Sequence, residues 1–386
     1  AIWLIVGAFL FSRGFIKTGL GKRIAYNLIA AFGSSSLRLA YALALSDLIL
    51  APATPSNTAR VGGVIMPITT SLAKAFGSEP QDGPRKIGSF LMQSIYQVNT
   101  ITSAMFQTSM AGNTLVAALA LQSFGIGITW GDWAMAAIVP GIIALIIMPY
   151  FIYKVYPPEI KDAREAQQMI KEELKGLGKM SFQEWVMLGV FILALVLWAT
   201  SQFTKIDATT VAFLGISILL ATSVLVWDDV KSEKGAWDTL VWMGTLMGFA
   251  GFLSKLGFIK WATVLVGTYI PEGSWIIAFV IAVLINTYSH YVFASLTAHI
   301  SAMFVAFSAI AISAGAPPML TLLMIAFTSN LCMSLTHYAA GPSPVIFNTG
   351  YVPQNTWWKL GFFSSVINLI IFVGLGSIRM KAFGMW

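Results

Sequence analysis

Long apolar segments with few charged residues recur along most of the chain. Five of them lie near 130–153, 185–202, 208–226, 239–255 and 357–378. A helix of about 20 apolar residues is long enough to cross the roughly 30 Å hydrocarbon core of a membrane. The pattern therefore predicts an all-α, polytopic transmembrane protein.

Four other apolar segments are interrupted by polar residues, glycine or proline. The pairs 37–76 and 274–315 are each folded around a polar centre, and the spans 88–122 and 317–350 are broken at 107–113 and 334–342. A helix that stops at membrane depth must end in protein or beside a water-lined cavity. These breaks therefore predict two folded pairs and two discontinuous helices around an internal site.

The composition supports the membrane assignment. Hydrophobic residues make up 57% of the 386 positions and charged residues only 10%, whereas soluble domains carry about 25% charged residues. The net charge of +7 does not predict a nucleic-acid partner, because membrane topology alone places basic residues in cytoplasmic loops. The single Cys332 excludes an intrachain disulfide. The chain starts without Met in an apolar run, so we expect further N-terminal helices to precede it.

One hydrophilic segment, 154–184, separates the two halves of the chain. Its mixed charges at helical spacing predict an amphipathic surface helix. If this linker is cytoplasmic, most of the 23 Lys and Arg residues fall on the cytoplasmic side, as the positive-inside rule requires.

Short motifs recur in the two halves. The sequence GFIK at 14–17 returns at 257–260, and the Ser-Asn-Thr at 56–58 has a looser partner in Ser-Leu-Thr at 295–297. The predicted topology places the two GFIK segments on opposite membrane faces. We therefore expect an inverted repeat of 1–153 and 185–386 joined by the linker, which is typical of alternating-access transporters.

The strongest local motif surrounds Pro52 and Pro55. Proline ends or kinks a helix, and Ser56, Asn57 and Thr58 then cap the helix that follows. A helix N-terminus presents free amides and a partial positive charge, which favours a bound carboxylate. The alternative is an ordinary proline-kinked span whose polar residues cap their own backbone.

The second half repeats the hydroxyls at Ser295 and Thr297, but Leu296 replaces the amide of Asn57. All three histidines lie nearby, at His290, His299 and His337. They are either packing residues or functional groups, since ionisable residues inside membranes are often functional. Their spacing matches no zinc motif and no Cys or carboxylate cluster joins them, so we predict no metal.

The charged residues of the apolar segments indicate the sign of the substrate. Asp47 is the one acidic residue in a folded pair, and we interpret it as a paired structural residue. The basic residues Arg60, His299 and His337 lie beside the tips and breaks. Together with helix N-termini, they favour an anionic substrate.

Four motifs together resemble the divalent anion/sodium symporter family, and the resemblance covers nearly all of the chain. They are ATPSNTAR at 53–60, HYVFASLTAH at 290–299, LTHY at 335–338 and YPPEIK at 156–161. The last three are similar to the branch that contains dicarboxylate exchangers of plastids and bacteria.

The resemblance implies a fold with two re-entrant hairpins that meet at a central substrate site. It also implies a homodimer in lipid, in which a scaffold stays still while a transport domain moves vertically, as in an elevator. We expect the tips and breaks to bind the substrate. The predicted binding residues are Ser56, Asn57, Thr58, Ser295, Leu296, Thr297, Gly112, Asn113, Gly341 and Pro342.

The departure at Leu296 puts a second sodium site in doubt, because the symporter branch carries Ser-Asn-Thr at both tips. Arg60, His299 and His337 could compensate the substrate charge in place of the cation. We therefore predict a sodium-independent antiporter of small dicarboxylates of the succinate, malate and 2-oxoglutarate class, without a cofactor. A sodium-coupled di- or tricarboxylate symporter is the alternative.

Other protein classes fit less well. An intramembrane enzyme needs a nucleophile with its base, or a metal, and the spans contain neither pattern. A channel needs a continuous pore rather than capped hairpins. The predicted location is the bacterial plasma membrane, with the plastid inner envelope as the alternative.

Overall fold

The computed structural model describes residues 2–257 and 275–386. These residues form helices joined by short loops. In the first half the helices are Ile2–Thr18, Leu20–Phe32, Ser36–Leu50, Asn57–Arg60, Met66–Ala75, Gly88–Met105, Ala111–Phe124 and Trp130–Val155. The helices that follow are Arg164–Gly176, Phe182–Ala199, Ser201–Thr204, Ala208–Ala221, Trp227–Ser232 and Lys234–Lys255. Beyond residue 274 they are Trp275–Tyr288, Leu296–Ser313, Pro318–Leu331, Pro342–Phe347, Gln354–Leu369 and Ser377–Ala382.

Several of these helices are long and apolar enough to cross a membrane. Within the described ranges there are seven, or up to eight if the bent pair Ile2–Thr18 and Leu20–Phe32 forms one span. The seven are Ser36–Ala53, Trp130–Val155, Phe182–Ala199, Trp275–Val292, Leu296–Ser313, Pro318–Leu335 and Gln354–Ala382. The prediction of an all-α, polytopic membrane protein is confirmed.

The first hairpin consists of two helical arms that contact each other. Its first arm is Ser36–Leu50, which tightens into the 3₁₀ turn Ala51–Ala53 because Pro52 removes a helical donor. Its second arm starts at Asn57–Arg60 and continues through the π-helical turn Val61–Ile65. The three residues between the arms, 54–56, and the first helical residues, Asn57 and Thr58, together form the first tip.

The second hairpin has the same plan. Its first arm, Trp275–Tyr288, ends in the 3₁₀ turn Ser289–Val292, and its second arm is Leu296–Ser313. The second tip, defined in the same way, is therefore 293–297. Position 274, where the sequence analysis started this hairpin, lies outside the described residues, as do positions 258–260 of the second GFIK motif.

Two broken helices lie between and beside the hairpins. The first consists of Gly88–Met105 and Ala111–Phe124, and the second of Pro318–Leu331, the 3₁₀ turn Cys332–Leu335 and the short helix Pro342–Phe347. The long halves of the two broken helices pack on each other. Every residue of Gly88–Met105 is buried, so its polar side chains face protein rather than lipid. This buried pair is the centre of the fold.

The hydrophilic linker contains the amphipathic helix Arg164–Gly176. Its buried side chains, Ala166 and Ile170, face the helix Leu20–Phe32. Gln167 Nε2 donates a hydrogen bond of 2.8 Å to the carbonyl oxygen of Ala30. The linker is therefore attached to the first half of the chain at its apolar face.

Candidate functional site

A cavity of about 190 Å³ lies where both hairpin tips meet both helix breaks. Its lining residues come from the helix Ile2–Thr18, the two tips and the two breaks. They are Phe9, Pro55, Ser56, Asn57, Thr58, Met110, Ala111, Gly112, Ala294, Ser295, Leu296, Thr297, Ala340 and Gly341. The structure thus brings together eight of the predicted binding residues from four separate segments.

Four helices begin at this cavity, at Asn57, Ala111, Leu296 and Pro342. The first residues of a helix carry backbone N–H groups without helical partners and a partial positive charge. None of the described residues that line the cavity is acidic. The cavity is therefore suited to an anion.

A larger cavity, of about 520 Å³, opens beside the helix Ala111–Phe124 and the segment 201–209. Its described lining contains none of the predicted binding residues. Two helices, Trp130–Val155 and Ala208–Ala221, also begin at this cavity, but the N-cap of the second is Asp207, a carboxylate that disfavours a bound anion. The smaller cavity is the better candidate for the substrate site.

At the first tip, Ser56 is the N-cap of the second arm. Its Oγ accepts a hydrogen bond of 3.1 Å from the Ala59 amide, which leaves the hydroxyl hydrogen to donate. Asn57 Oδ1 accepts from the Thr58 amide at 3.0 Å, and Asn57 Nδ2 lies 3.6 Å from Met333 Sδ, a weak acceptor. These residues both cap their own backbone and present donors to the cavity.

The second tip is capped in the same way. Ser295 Oγ accepts from the Ala298 amide at 3.3 Å. Leu296, at the first helical position, has no polar group to offer, although its side chain lines the cavity. The two tips therefore differ by one side-chain amide.

Glycine at each break allows one half of the chain to touch the hairpin of the other half. A Cβ on Gly341 would overlap the Oγ1 of Thr58 in the first hairpin, and a Cβ on Gly112 would lie 2.7 Å from Cδ1 of Ile300 in the second hairpin. At the cavity, each break therefore contacts the hairpin of the opposite half.

Two of the predicted binding residues do not line the cavity. Asn113 is buried beside the first break, where Nδ2 donates to the carbonyl oxygens of Ser103 at 2.8 Å and Phe106 at 2.9 Å. Its Oδ1 accepts from Asn330 Nδ2 at 2.8 Å. Pro342 is buried at the start of the short helix Pro342–Phe347. Both residues lie at the breaks but outside the lining of the cavity.

Arg60 is fully buried and forms an ion pair with Asp47 across the first hairpin, with 3.0 Å between Arg60 Nε and Asp47 Oδ1. The guanidinium also donates to the carbonyl oxygens of Thr54 and Ser109, each at 2.9 Å. The interpretation of Asp47 as a paired residue is confirmed. Because the pair has no net charge, Arg60 by itself does not supply the positive charge assigned to it from the sequence.

The Arg60–Asp47 pair is held by the first broken helix. Arg60 Nη2 donates to Thr102 Oγ1 at 3.3 Å and to Ser103 Oγ at 3.2 Å, while Thr102 and Asn99 donate to the Asp47 carboxylate. The pair thus ties both arms of the hairpin to the helix beside the break. Sequence analysis missed this network because its members are distant along the chain.

The second half contains an uncharged counterpart. Alignment of Ser56 with Ser295 places Asp47 on Asn286 and Arg60 on His299. Asn286 Nδ2 donates to Thr328 Oγ1 and Ser329 Oγ, each at 3.2 Å, as the first network contacts a Thr-Ser pair. This alignment was available from the sequence, and it is the signal that could have found both networks.

His337 does not line the cavity. Its Nδ1 accepts a hydrogen bond of 3.0 Å from Trp358 Nε1, and its ring packs 4.5 Å from that of Phe347. The role assigned to it from the sequence, as a charge near the substrate, stays a prediction.

The structure corrects one premise about the histidines. Cys332, which is distant from them in the sequence, lies beside His290 and His299. One ring nitrogen of each histidine and the Cys332 sulfur all lie within 4.8 Å of one another. A cysteine therefore does join the histidines, because the second broken helix packs on the second hairpin.

The fold and the capped cavity are those of an integral membrane transporter. The whole chain, residues 1–386, matches the family described as the sodium:sulfate symporter transmembrane region, and the chain belongs to this family. The family predicted from the tip motifs is confirmed, and the protein is a transporter rather than an enzyme.

Relatives of known description cover all or nearly all of the chain. YflS of Bacillus subtilis (strain 168) is 51% identical over 100% of this chain and 81% of its own length. Dicarboxylate transporter 1, chloroplastic, of Spinacia oleracea is 46% identical over 100% of this chain and 68% of its own length. The inner membrane protein YbhI of Escherichia coli (strain K12) is 42% identical over 97% and 78%. The bacterial relatives support the predicted bacterial plasma membrane.

A solved structure shares the fold. The crystal structure of the Alcanivorax borkumensis YdaH transporter, described as having an unusual topology, matches with a TM-score of 0.61. The match covers 98% of this chain and 85% of that chain at 12% sequence identity. At this identity the likeness concerns the fold alone.

Proposed function

We propose that this protein exchanges small dicarboxylate anions across the membrane. The observation that carries the proposal is the convergence of four helix N-termini on one cavity in which none of the described lining residues is acidic. Half-helix N-termini that point at anionic groups are a recurring feature of transporter sites. The spinach relative, whose name states a dicarboxylate substrate, supports the same class of cargo.

The arrangement of donors favours two carboxylates rather than one. Ser56 and Asn57 approach the cavity from the first tip, and Ser295 and Thr297 approach it from the second. Each tip offers hydroxyls at a helix N-terminus, which suits one carboxylate per tip. At about 190 Å³ the cavity is below the roughly 300–1,000 Å³ of drug-sized ligand sites, so a short diacid fits better than a larger molecule.

The difference between the tips favours exchange. The side chain of Leu296 offers no oxygen to a cation, whereas the side chain of Asn57 in the first tip does. A sodium-coupled symporter is the second candidate, because the complete Ser-Asn-Thr of the first tip could still hold one cation. In an exchanger the positive potential comes from the protein itself, here from the helix N-termini. The predicted contribution of His299 stays part of this proposal.

The proposed movement is of the elevator type, in a homodimer, as the family resemblance implies. The hairpins and broken helices, which pack on one another, would move together. The helices Ile2–Thr18, Phe182–Ala199, Ala208–Ala221 and Lys234–Lys255 also contact one another and would form the scaffold. Phe9 brings this scaffold to the edge of the cavity.

Counterflow in proteoliposomes tests the proposal. We expect uptake of labelled succinate only into vesicles preloaded with a dicarboxylate, at the same rate with and without sodium. Sodium-driven uptake into empty vesicles would replace exchange by symport while keeping the substrate class. Uptake of neither succinate, malate nor 2-oxoglutarate under any of these conditions would overturn the substrate class itself.

A further inference from the structure

Two histidines and the one cysteine of the chain form a buried cluster behind the second tip. His290 ends the first arm of the second hairpin, His299 lies in the first turns of the second arm, and Cys332 starts the 3₁₀ turn before the second break. All three residues are fully buried. None of the three residues is in the lining of the cavity.

The hydrogen bonds of the two rings indicate where their lone pairs are. His290 Nε2 lies 2.8 Å from the carbonyl oxygen of Ala339, which can only accept, so Nε2 carries the hydrogen and Nδ1 the lone pair. Ser289 Oγ donates its hydrogen to Asn286 O at 3.0 Å, so His299 Nε2 donates to Ser289 Oγ at 3.1 Å. The lone pair of His299 is therefore also on Nδ1.

Neither Nδ1 atom has a hydrogen-bonding partner among the residues that the structure describes. A buried acceptor without a donor is unfavourable, and such atoms are rare in proteins. Here the two unpartnered acceptors belong to the neighbouring rings of His290 and His299, whose centroids are 4.8 Å apart. The Cys332 thiol lies beside both rings. Two imidazole nitrogens and one thiolate are a donor set that zinc and related metal ions prefer.

We propose that His290 Nδ1, His299 Nδ1 and Cys332 Sγ bind one transition-metal ion of borderline softness, for which Zn²⁺ is the reference. With Zn–N bonds of about 2.0–2.1 Å and Zn–S bonds of about 2.3 Å, tetrahedral ligands lie about 3.3–3.6 Å apart. One ring nitrogen of each histidine and the Cys332 sulfur lie within 4.8 Å of one another, and rotation of the side chains would bring both Nδ1 atoms and the sulfur to that spacing. Ala339 and Ser289 hold the far nitrogens, as outer-shell partners of metal-bound histidines do.

Binding requires the loss of one proton and no redox step. The Cys332 S–H bond breaks, the proton leaves to water, and the sulfur electron pair binds the metal. The weak hydrogen bond of 3.3 Å from Cys332 Sγ to Ser329 O is given up. The site gains a net charge of one positive unit, and the metal joins the second hairpin to the second broken helix. The proposal does not depend on the identity of the transported anion.

Cobalt spectroscopy on the purified full chain tests the site directly. The metal-free protein is titrated with Co²⁺, and we expect one ion per chain with a thiolate-to-cobalt charge-transfer band that Zn²⁺ abolishes. Cys332→Ser should remove the band and weaken Zn²⁺ binding by more than the 10–100-fold typical of losing an outer-shell partner. His337→Gln, which changes the one histidine outside the cluster, should keep the band. A wild-type protein without the band, or a Cys332→Ser protein with it, would overturn the proposal.

A second measurement covers the case in which Cys332→Ser does not fold. Zn²⁺ should raise the melting temperature of the wild-type protein, whereas Mg²⁺, which prefers oxygen ligands, should not. His290→Gln should lose the Zn²⁺ effect. Equal melting temperatures with and without Zn²⁺ would contradict the site.

Discussion

The two hairpins share one backbone plan but differ in the charge of the side chains that contact the broken helices. Both place a serine N-cap at the cavity, and both contact a Thr-Ser pair in a broken helix. The first makes this contact with the ion pair of Arg60 and Asp47, whereas the second makes it with the uncharged Asn286 of its first arm. The comparison shows that the shape of the tip does not require charge. The charge of these side chains can therefore differ between the two halves.

The difference has consequences for each tip. In the first hairpin the charges neutralise each other and every nitrogen of Arg60 has a partner. In the second, His290 and His299 each keep a buried nitrogen without a partner among the described residues. All nitrogens of Arg60 are therefore satisfied in the first network, whereas the second half keeps two ring nitrogens that could bind a cation.

The largest expected effect is the loss of one partner from the charged network. Asp47→Ala leaves Arg60 buried without its counter-charge, which should cost roughly 3–5 kcal/mol of stability. The matched change Asn286→Ala removes neutral hydrogen bonds and should cost about 1 kcal/mol. Thermal unfolding in detergent measures both. Equal losses would show that the ion pair is no more important than its neutral counterpart, and the double variant Asp47→Leu with Arg60→Met should recover most of the stability.

The side-chain amide of the first tip should matter more for transport than its counterpart. Asn57→Ala removes a donor that faces a charged substrate, a bond of about 1.5–3 kcal/mol, so exchange should fall by roughly 10- to 100-fold. Leu296→Ala removes no polar group and should leave exchange within about threefold. Initial rates of counterflow give the comparison. A greater loss in Leu296→Ala would reverse the roles of the two tips.

The glycines at the breaks should also differ. In Gly341→Ala the new methyl group meets Thr58 at the first tip, and overpacking of this kind typically costs about 1–3 kcal/mol. We expect an exchange rate about tenfold lower. Gly112→Ala meets the flexible ends of Ile300 and Met110 and should cost about threefold or less. Gly63→Ala, with open space around it, serves as the control, and similar losses at 341 and 63 would show a general helix effect.

The smallest difference is expected at the two serine caps. Ser56→Ala and Ser295→Ala each remove one N-cap, which typically costs about 1 kcal/mol. Both variants should lose similar stability, because both hydroxyls accept from the amide three residues later. Melting temperatures of the two variants measure this. A marked difference between them would mean that the tips are not equivalent in backbone structure.

Much of the site was predictable from sequence because its parts are local. Pro52, Pro55 and the Ser-x-Thr motifs act on their own backbone, so they indicated where each arm ends and which hydroxyls cap the next. The glycines of the breaks, Gly112 and Gly341, followed from the same reasoning. Asn113 and Pro342, predicted as binding residues, are not in the lining of the cavity, because adjacency along a helix does not determine which side faces the cavity; their role in binding stays a prediction.

The pairings were not predictable in the same way. Asp47 meets Arg60 only because the two arms pack side by side, and Cys332 meets the histidines only because the second broken helix lies against the second hairpin. A side chain's charge state and partners depend on such neighbours, which local patterns do not specify.

The sequence by itself determined the membrane class, the helices, the positions of the tips and breaks, and the repetition of one plan in two halves. These follow from hydrophobic length, proline and capping chemistry, which act over a few residues. Only the tertiary structure decided that four helix N-termini share one cavity, that Arg60 is neutralised and that Cys332 joins His290 and His299. Those facts depend on packing between segments far apart in the chain.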